Sequence, residues 1–102
     1  MIIEDPDAPQ GIFDHWVVWN IEPVEKIQEN SVPGVQGKNG FGKVEYDGPC
    51  PPWGIHRYLF KVYALDTKLD LDEGAEKKQL LEAMQGHILT MNEVMGRYRK
   101  VF

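Results

Sequence analysis

Two runs of this chain are apolar on both of the faces that a strand would present. "HWVVWNI", His15 to Ile21, and "RYLFKVYAL", Arg57 to Leu65, are rich in β-branched and aromatic residues, the composition of strands. Strand side chains alternate between faces. His15, Val17, Trp19 and Ile21 are therefore expected on one face, and Trp16, Val18 and Asn20 on the other. A strand carrying large apolar groups on both faces needs cover on both, which predicts a central place in a layered, mainly β domain.

The segments around these runs fit that frame. Pro23, Pro33, Gly34, Gly37, Gly40 and Gly42 punctuate residues 22 to 46, which read as a long irregular connection with a turn at Asn39-Gly40. Connections of this length in a small domain are usually functional or mobile. Asp72 and Glu73 lead into "GAEKKQLLEAM", where Leu80, Leu81 and Met84 recur at helical spacing. The acids suit the N-terminal end of a helix dipole, and Gly86 is its expected stop. "HILTMNEVMGRYR", His87 to Arg99, is bracketed by Gly86 and Gly96 and has no capping signal, so it is read as a strand rather than a second helix.

At 102 residues the chain is read as one domain, 1–102, able to bury roughly 65% of its unfolded surface around a single core. A formal net charge of -5 argues against nucleic acid as a partner, which needs a basic footprint, but leaves room for a local anion site. Cys50 is the only cysteine. No internal disulfide can form, and a reducing, cytoplasmic compartment is expected. No apolar run approaches the roughly 20 residues of a membrane span, so membrane insertion is not expected. "MII" is too short for a signal peptide's apolar region.

The residues that carry chemistry fall in two places. The first is "DPDAP", Asp5 to Pro9, followed by His15. Proline fixes its own backbone and holds the preceding residue extended, so Asp5 and Asp7 sit in a rigid turn. The second is "GPCPPWGIHRY", Gly48 to Tyr58. Pro49, Pro51 and Pro52 stiffen this loop, Gly54 permits a close backbone approach, and His56 and Tyr58, two apart on a strand, point the same way. Each residue also has a structural reading. Asp5 and Asp7 serve as turn formers, a lone histidine at a strand end is more often structural, and Tyr58 can be core with its hydroxyl satisfied. Trp16, Trp19 and Tyr63 read as core, Cys50 as a small buried hydrophobe, and Asp70 to Glu76 as a solvated helix start.

Taken together, "DPDAP", "HWVVWNI", "GPCPPWGIHRYLFKVYALD", "AMQGHIL" and "MGRY" resemble the phosphatidylethanolamine-binding, or Raf-kinase-inhibitor-like, protein family in its bacterial and archaeal form. The resemblance covers nearly the whole chain in the family's order. It implies a β-sandwich-like domain with a large antiparallel sheet, a smaller sheet and, here, one helix near the C-terminus. It also implies a shallow pocket for phosphate or phosphoethanolamine-like groups. Carried over by position, the pocket comprises Asp5, Asp7, Pro9, His15, Pro51, Pro52, His56 and Tyr58. The family includes modulators of kinases and inhibitors of serine proteases, so a regulatory role toward such an enzyme is implied, with no cofactor.

This chemistry is coherent. Imidazole and phenol groups donate hydrogen bonds to phosphate oxygens. A carboxylate beside an imidazole fixes its tautomer and favours the imidazolium, or it can hold an ammonium head group. Two alternatives compete: a hydrolase using Asp and His as acid and base, and a metal site built on His15, His56 and an aspartate. No serine or cysteine nucleophile motif accompanies the acids and no tight ligand spacing supports a metal, so a non-enzymatic binding module is expected. Only Met1 to Glu4 precede "DPDAP", where the family carries an N-terminal segment. The domain is therefore read as N-terminally short. A homodimer is expected, its contacts covering sheet edges and apolar faces left open.

Overall fold

A four-residue strand, β1 (Ile2–Asp5), lies between the two apolar runs and pairs with both. The computed structural model describes residues 1–9, 11–22, 31–48 and 55–99. The first run lies in β2 (Phe13–Trp19), followed by the two-residue β3 (Val35–Gln36), and the second in β4 (Ile55–Leu65). One helix, α1 (Lys77–Met84), precedes β5 (Ile88–Arg99). The strands form one five-stranded antiparallel sheet in the order β3-β2-β1-β4-β5. Among the described residues, the mainly β class, the antiparallel sheet and the single helix agree with expectation, and a smaller second sheet is not present.

Burial of apolar surface fixes which side the helix takes. Ile2, Val17, Trp19, Leu69, Leu80 and Met84 form the buried cluster, with Tyr63, Leu65, Leu71 and Ala83 against it. A fully buried side chain such as Leu80, 1% exposed, contributes about 2 kcal/mol. The helix begins with a capping box, in which the Glu76 side chain accepts from the backbone of Gln79 and the Gln79 side chain from the backbone N–H of Glu76. It ends before Gly86, whose φ of 80° is the left-handed conformation that stops a helix. Gly74, also at positive φ (86°), instead donates to the Gln36 carbonyl, and the helix starts at Lys77, later than the run from Gly74 suggests, with Asp72 and Glu73 outside its first turn. His87 to Arg99, read as a strand, is β5 from Ile88 onward.

One expectation is corrected. Strict alternation put His15 on the face of Val17 and Trp19. Ile3 pairs with Trp16 and Glu4 with Asp14, so the ladder shifts by one residue and His15 is left as the extra member of a bulge. Val17 and Trp19 join the helix-side core, whereas His15 turns to the opposite face with Ile3, Tyr58 and Phe60. The readings of Pro23, Pro49, Cys50, Pro51, Pro52 and Gly54 lie outside the described residues. Among the described residues, no helix is long and apolar enough to cross a membrane.

Candidate functional site

The "DPDAP" turn is tied down by its own first side chain. The Asp7 backbone N–H donates to Asp5 Oδ1 at 2.8 Å, the local bond that makes aspartate a turn former. The other oxygen, Oδ2, lies 2.6 Å from His56 Nδ1, and both side chains are 5% exposed. Because an ionised carboxylate only accepts, His56 carries a proton on Nδ1 and its tautomer is set. Asp5 thus plays both the roles read from the sequence, turn former and histidine partner.

Asp7 goes elsewhere. Its Oδ2 accepts from the Arg57 backbone N–H and Nε, each at 2.9 Å, and its Oδ1 from Nη2 at 2.8 Å. This two-pronged clamp holds the Asp7 carboxyl well below the usual carboxylate range, the Arg57 hydrogen bonds being the main cause. Arg57 is raised in turn by the same bonds. Parity explains the partner: Arg57 points away from His56 and Tyr58 on β4. Pro9 is exposed at the end of the turn, and Pro51 and Pro52 lie outside the described residues.

The bulge brings His15 beside Tyr58, ring centroids 5.1 Å apart and edge to face, with Phe13 packed on His15 at 5.0 Å. His15 Nδ1 is 2.7 Å from the Asp47 carbonyl oxygen. That oxygen can only accept, so Nδ1 carries the proton. Nε2 is buried and has no hydrogen-bond partner among the described residues. The Asp47 carbonyl is positioned by Asn39, itself buried. Asn39 donates to Glu45 O and Asp47 Oδ2 and accepts from the N–H groups of Phe41 and Lys43. The sequence marked Asn39 only as a turn residue; its role as the peg of the whole loop was not legible there.

His15 and Tyr58 line a cleft of about 170 Å³ together with Ile3, Tyr46, Phe60, Gly96 and Arg97. That is below the ~300–1,000 Å³ of sites for drug-sized ligands. A larger cleft of about 580 Å³ opens where β1 begins, between Val18–Glu22 and Val62–Lys68. It contains none of the residues singled out for chemistry, and its lining is mostly apolar. On the helix side, Glu4 is buried against Lys61 (2.5 Å) and Lys77 (3.5 Å), and Lys77 reaches Asp14 at 2.9 Å. This cluster was not anticipated; the only signal was the parity that turns Glu4 away from Asp5. No three histidine, cysteine, aspartate or glutamate side chains converge as metal ligands among the described residues.

A family model described as "Phosphatidylethanolamine-binding protein" matches residues 1–99. The chain belongs to that family. A UPF0098 protein of Pyrococcus horikoshii is 47% identical over 111 residues, covering 98% of this chain and 56% of that protein. One of Archaeoglobus fulgidus is 50% identical over 109 residues, covering 98% and 37%. The crystal structure of a phosphatidylethanolamine-binding protein homologue from Chlamydia trachomatis superposes with a TM-score of 0.91 at 46% identity, covering 98% of this chain and 70% of its own. E. coli YbcL, described as a new member of the mammalian family, gives 0.79 at 30% identity with the same coverages. The chain thus spans little more than half the length of the Pyrococcus horikoshii relative. In this chain Asp5 and His56 are buried and hydrogen-bonded to each other, and His15, also buried, is bonded to the Asp47 carbonyl.

Proposed function

We propose that the cleft beside His15 and Tyr58 binds a phosphate-bearing head group of phosphoethanolamine type, and that the protein acts by binding rather than by turnover. The observation that carries this reading is the buried, unpartnered Nε2 of His15 in a side chain that lines a head-group-sized cleft. A buried polar atom without a partner costs about 1–3 kcal/mol, which a ligand recovers. The acids do not oppose an anion, because Asp5 is held by His56 and Asp7 by Arg57. Neither is free to act as a base, and no activated nucleophile adjoins them among the described residues. Membership of a family with kinase modulators and protease inhibitors favours a regulatory role toward a partner enzyme, and the single cysteine accords with a cytoplasmic setting.

The His15 geometry imposes a pH dependence. With Nδ1–H committed to Asp47, the neutral ring offers only a lone pair at Nε2; an anionic oxygen is attracted once Nε2 is protonated. Binding should therefore strengthen with acidification. Calorimetric titration with inorganic phosphate and with phosphoethanolamine tests this. His15→Ala and His56→Ala are each expected to weaken binding roughly tenfold or more at low pH, the scale of one charge-assisted hydrogen bond. Equal affinity in wild type and both variants overturns the reading. So does phosphomonoester turnover that disappears in Asp7→Ala.

A further inference from the structure

We propose that the cleft selects oxyanions that still carry a proton, inorganic phosphate and singly protonated phosphomonoesters, over sulfate and phosphodiesters, because Asn39 holds His15 with Nε2 as a bare acceptor. This rests on the phosphate reading of the cleft and names the form of phosphate it takes. His15 is locked twice by one residue: its Nδ1 lies 2.7 Å from the Asp47 carbonyl oxygen, and its own carbonyl accepts from the Asp47 N–H at 3.1 Å. The loop that brings Asp47 there is closed by Asn39, which is 6% exposed. Asn39 Nδ2 donates to Glu45 O at 2.9 Å and to Asp47 Oδ2 at 3.1 Å, and Oδ1 accepts from the N–H groups of Phe41 and Lys43. Next to it, the Gly40 N–H donates to the Asp14 carbonyl at 2.7 Å, and the Phe13 ring fills the place of a Cβ. A carbonyl oxygen only accepts, so the neutral ring keeps its proton on Nδ1 and offers a lone pair at Nε2. Asn39 is thus a positioning residue, acting through the Asp47 carbonyl rather than on the ligand.

A buried lone pair discriminates by what the ligand brings to it. Hydrogenphosphate and a singly protonated monoester each carry a P–OH that donates to Nε2. Sulfate and a phosphodiester have no proton to give, so their oxygens set lone pair against lone pair and leave Nε2 unpaired. A site built to pair with a ligand hydroxyl rejects the analogue that lacks it, for this reason. A proton added to Nε2 from solvent removes the distinction, because an imidazolium donates to either anion. The preference should therefore narrow with acidification. The charged groups around His15 do not supply that proton. Asp14 is paired with Lys77, Asp5 with His56 and Glu45 with Lys43, and the Asp47 carboxylate accepts from Asn39. Tyr46, Tyr58 and Arg97 line the same cleft, yet Nε2 has no hydrogen-bond partner among the described residues.

Calorimetric titration with inorganic phosphate and with sulfate, at about pH 8 where a neutral imidazole is the ordinary form, tests this. Wild type is expected to prefer phosphate roughly tenfold or more, the scale of one buried hydrogen bond. Glycerophosphoethanolamine, the diester form of the head group, should follow sulfate. Long-range proton–nitrogen NMR of the ligand-free protein, assigned with His15→Ala, should show His15 protonated on Nδ1. Asn39→Ala, or Asn39→Asp where alanine does not fold, should mix the tautomers and bring the ratio of the two affinities toward one. Asp47→Asn keeps the carbonyl and an acceptor for Asn39, so it should retain the preference. Equal affinity of wild type for the two anions overturns the proposal. So does a ligand-free His15 protonated on Nε2, or a folded Asn39 variant with tautomer and ratio unchanged. Failure of both anions to bind at any pH overturns the cleft reading itself, and this selectivity with it.

Discussion

Removing the Asp5 carboxylate is the sharpest probe of how the site is held. Asp5 is buried, accepts the Asp7 N–H at 2.8 Å and lies 2.6 Å from the buried His56 Nδ1. Asp5→Ala strands both donors. Leaving two buried donors without their acceptor costs about 1–3 kcal/mol each, roughly 3–5 kcal/mol together. Asp5→Asn keeps the size and can still accept from Asp7, but it presents an amide donor to the imidazole unless the ring changes tautomer; its cost should be about 1–3 kcal/mol. Urea unfolding measures both. With a slope of about 1 kcal/mol per molar for a small domain, the alanine variant should lose about 3–5 M of midpoint, most of the transition in a domain of ordinary stability. The His56→Ala single and the double variant complete a cycle, whose coupling should be about 1–3 kcal/mol. An alanine variant within about 0.5 kcal/mol of wild type, or a coupling near zero, would refute the claim that Asp5 and His56 act as one unit.

Two further outcomes follow from the geometry. Asp7 has a carboxyl depressed by Arg57, so the pair's contribution is present above the ordinary carboxylate range and is lost as pH falls through the depressed value; Asp7→Asn should abolish that part of the acid sensitivity in urea midpoints measured from neutral to strongly acidic pH, by a small amount because the pair is exposed. Gly37→Ala would put a Cβ 2.4 Å from the Ala75 carbonyl oxygen and 2.8 Å from the Trp19 ring; a thermal melt should show about 1–3 kcal/mol of destabilisation from overpacking, whereas an unchanged melt would mean that the loop moves aside freely.

Much of the fold was legible because the strands are written in composition. "RYLFKVYAL" lies within β4, and parity alone placed His56 and Tyr58 on one face. β5 was legible from its glycine brackets and the lack of a cap. His15 was assigned to the wrong face, because a bulge is a property of two strands in register, and period-two reading of one strand cannot contain it. The Asn39 network and the Glu4 cluster were hidden for a related reason. They join residues as far as 73 positions apart, and a single chain of letters does not say which distant partners meet.

β1 is short, yet every one of its residues is buried, and it is laddered to β2 on one side and β4 on the other. Fraying from a free edge reaches Ile2, Ile3 or Glu4 only by opening a ladder, and Asp5 is paired with Phe13 of β2. In hydrogen-exchange terms, the amides of Ile2 to Glu4 are expected in the slowest class, while the outward amides of β5 should exchange through local excursions. The acidic turn is therefore anchored in the last part of the protein to come apart, and its geometry persists through every lesser fluctuation of the native state.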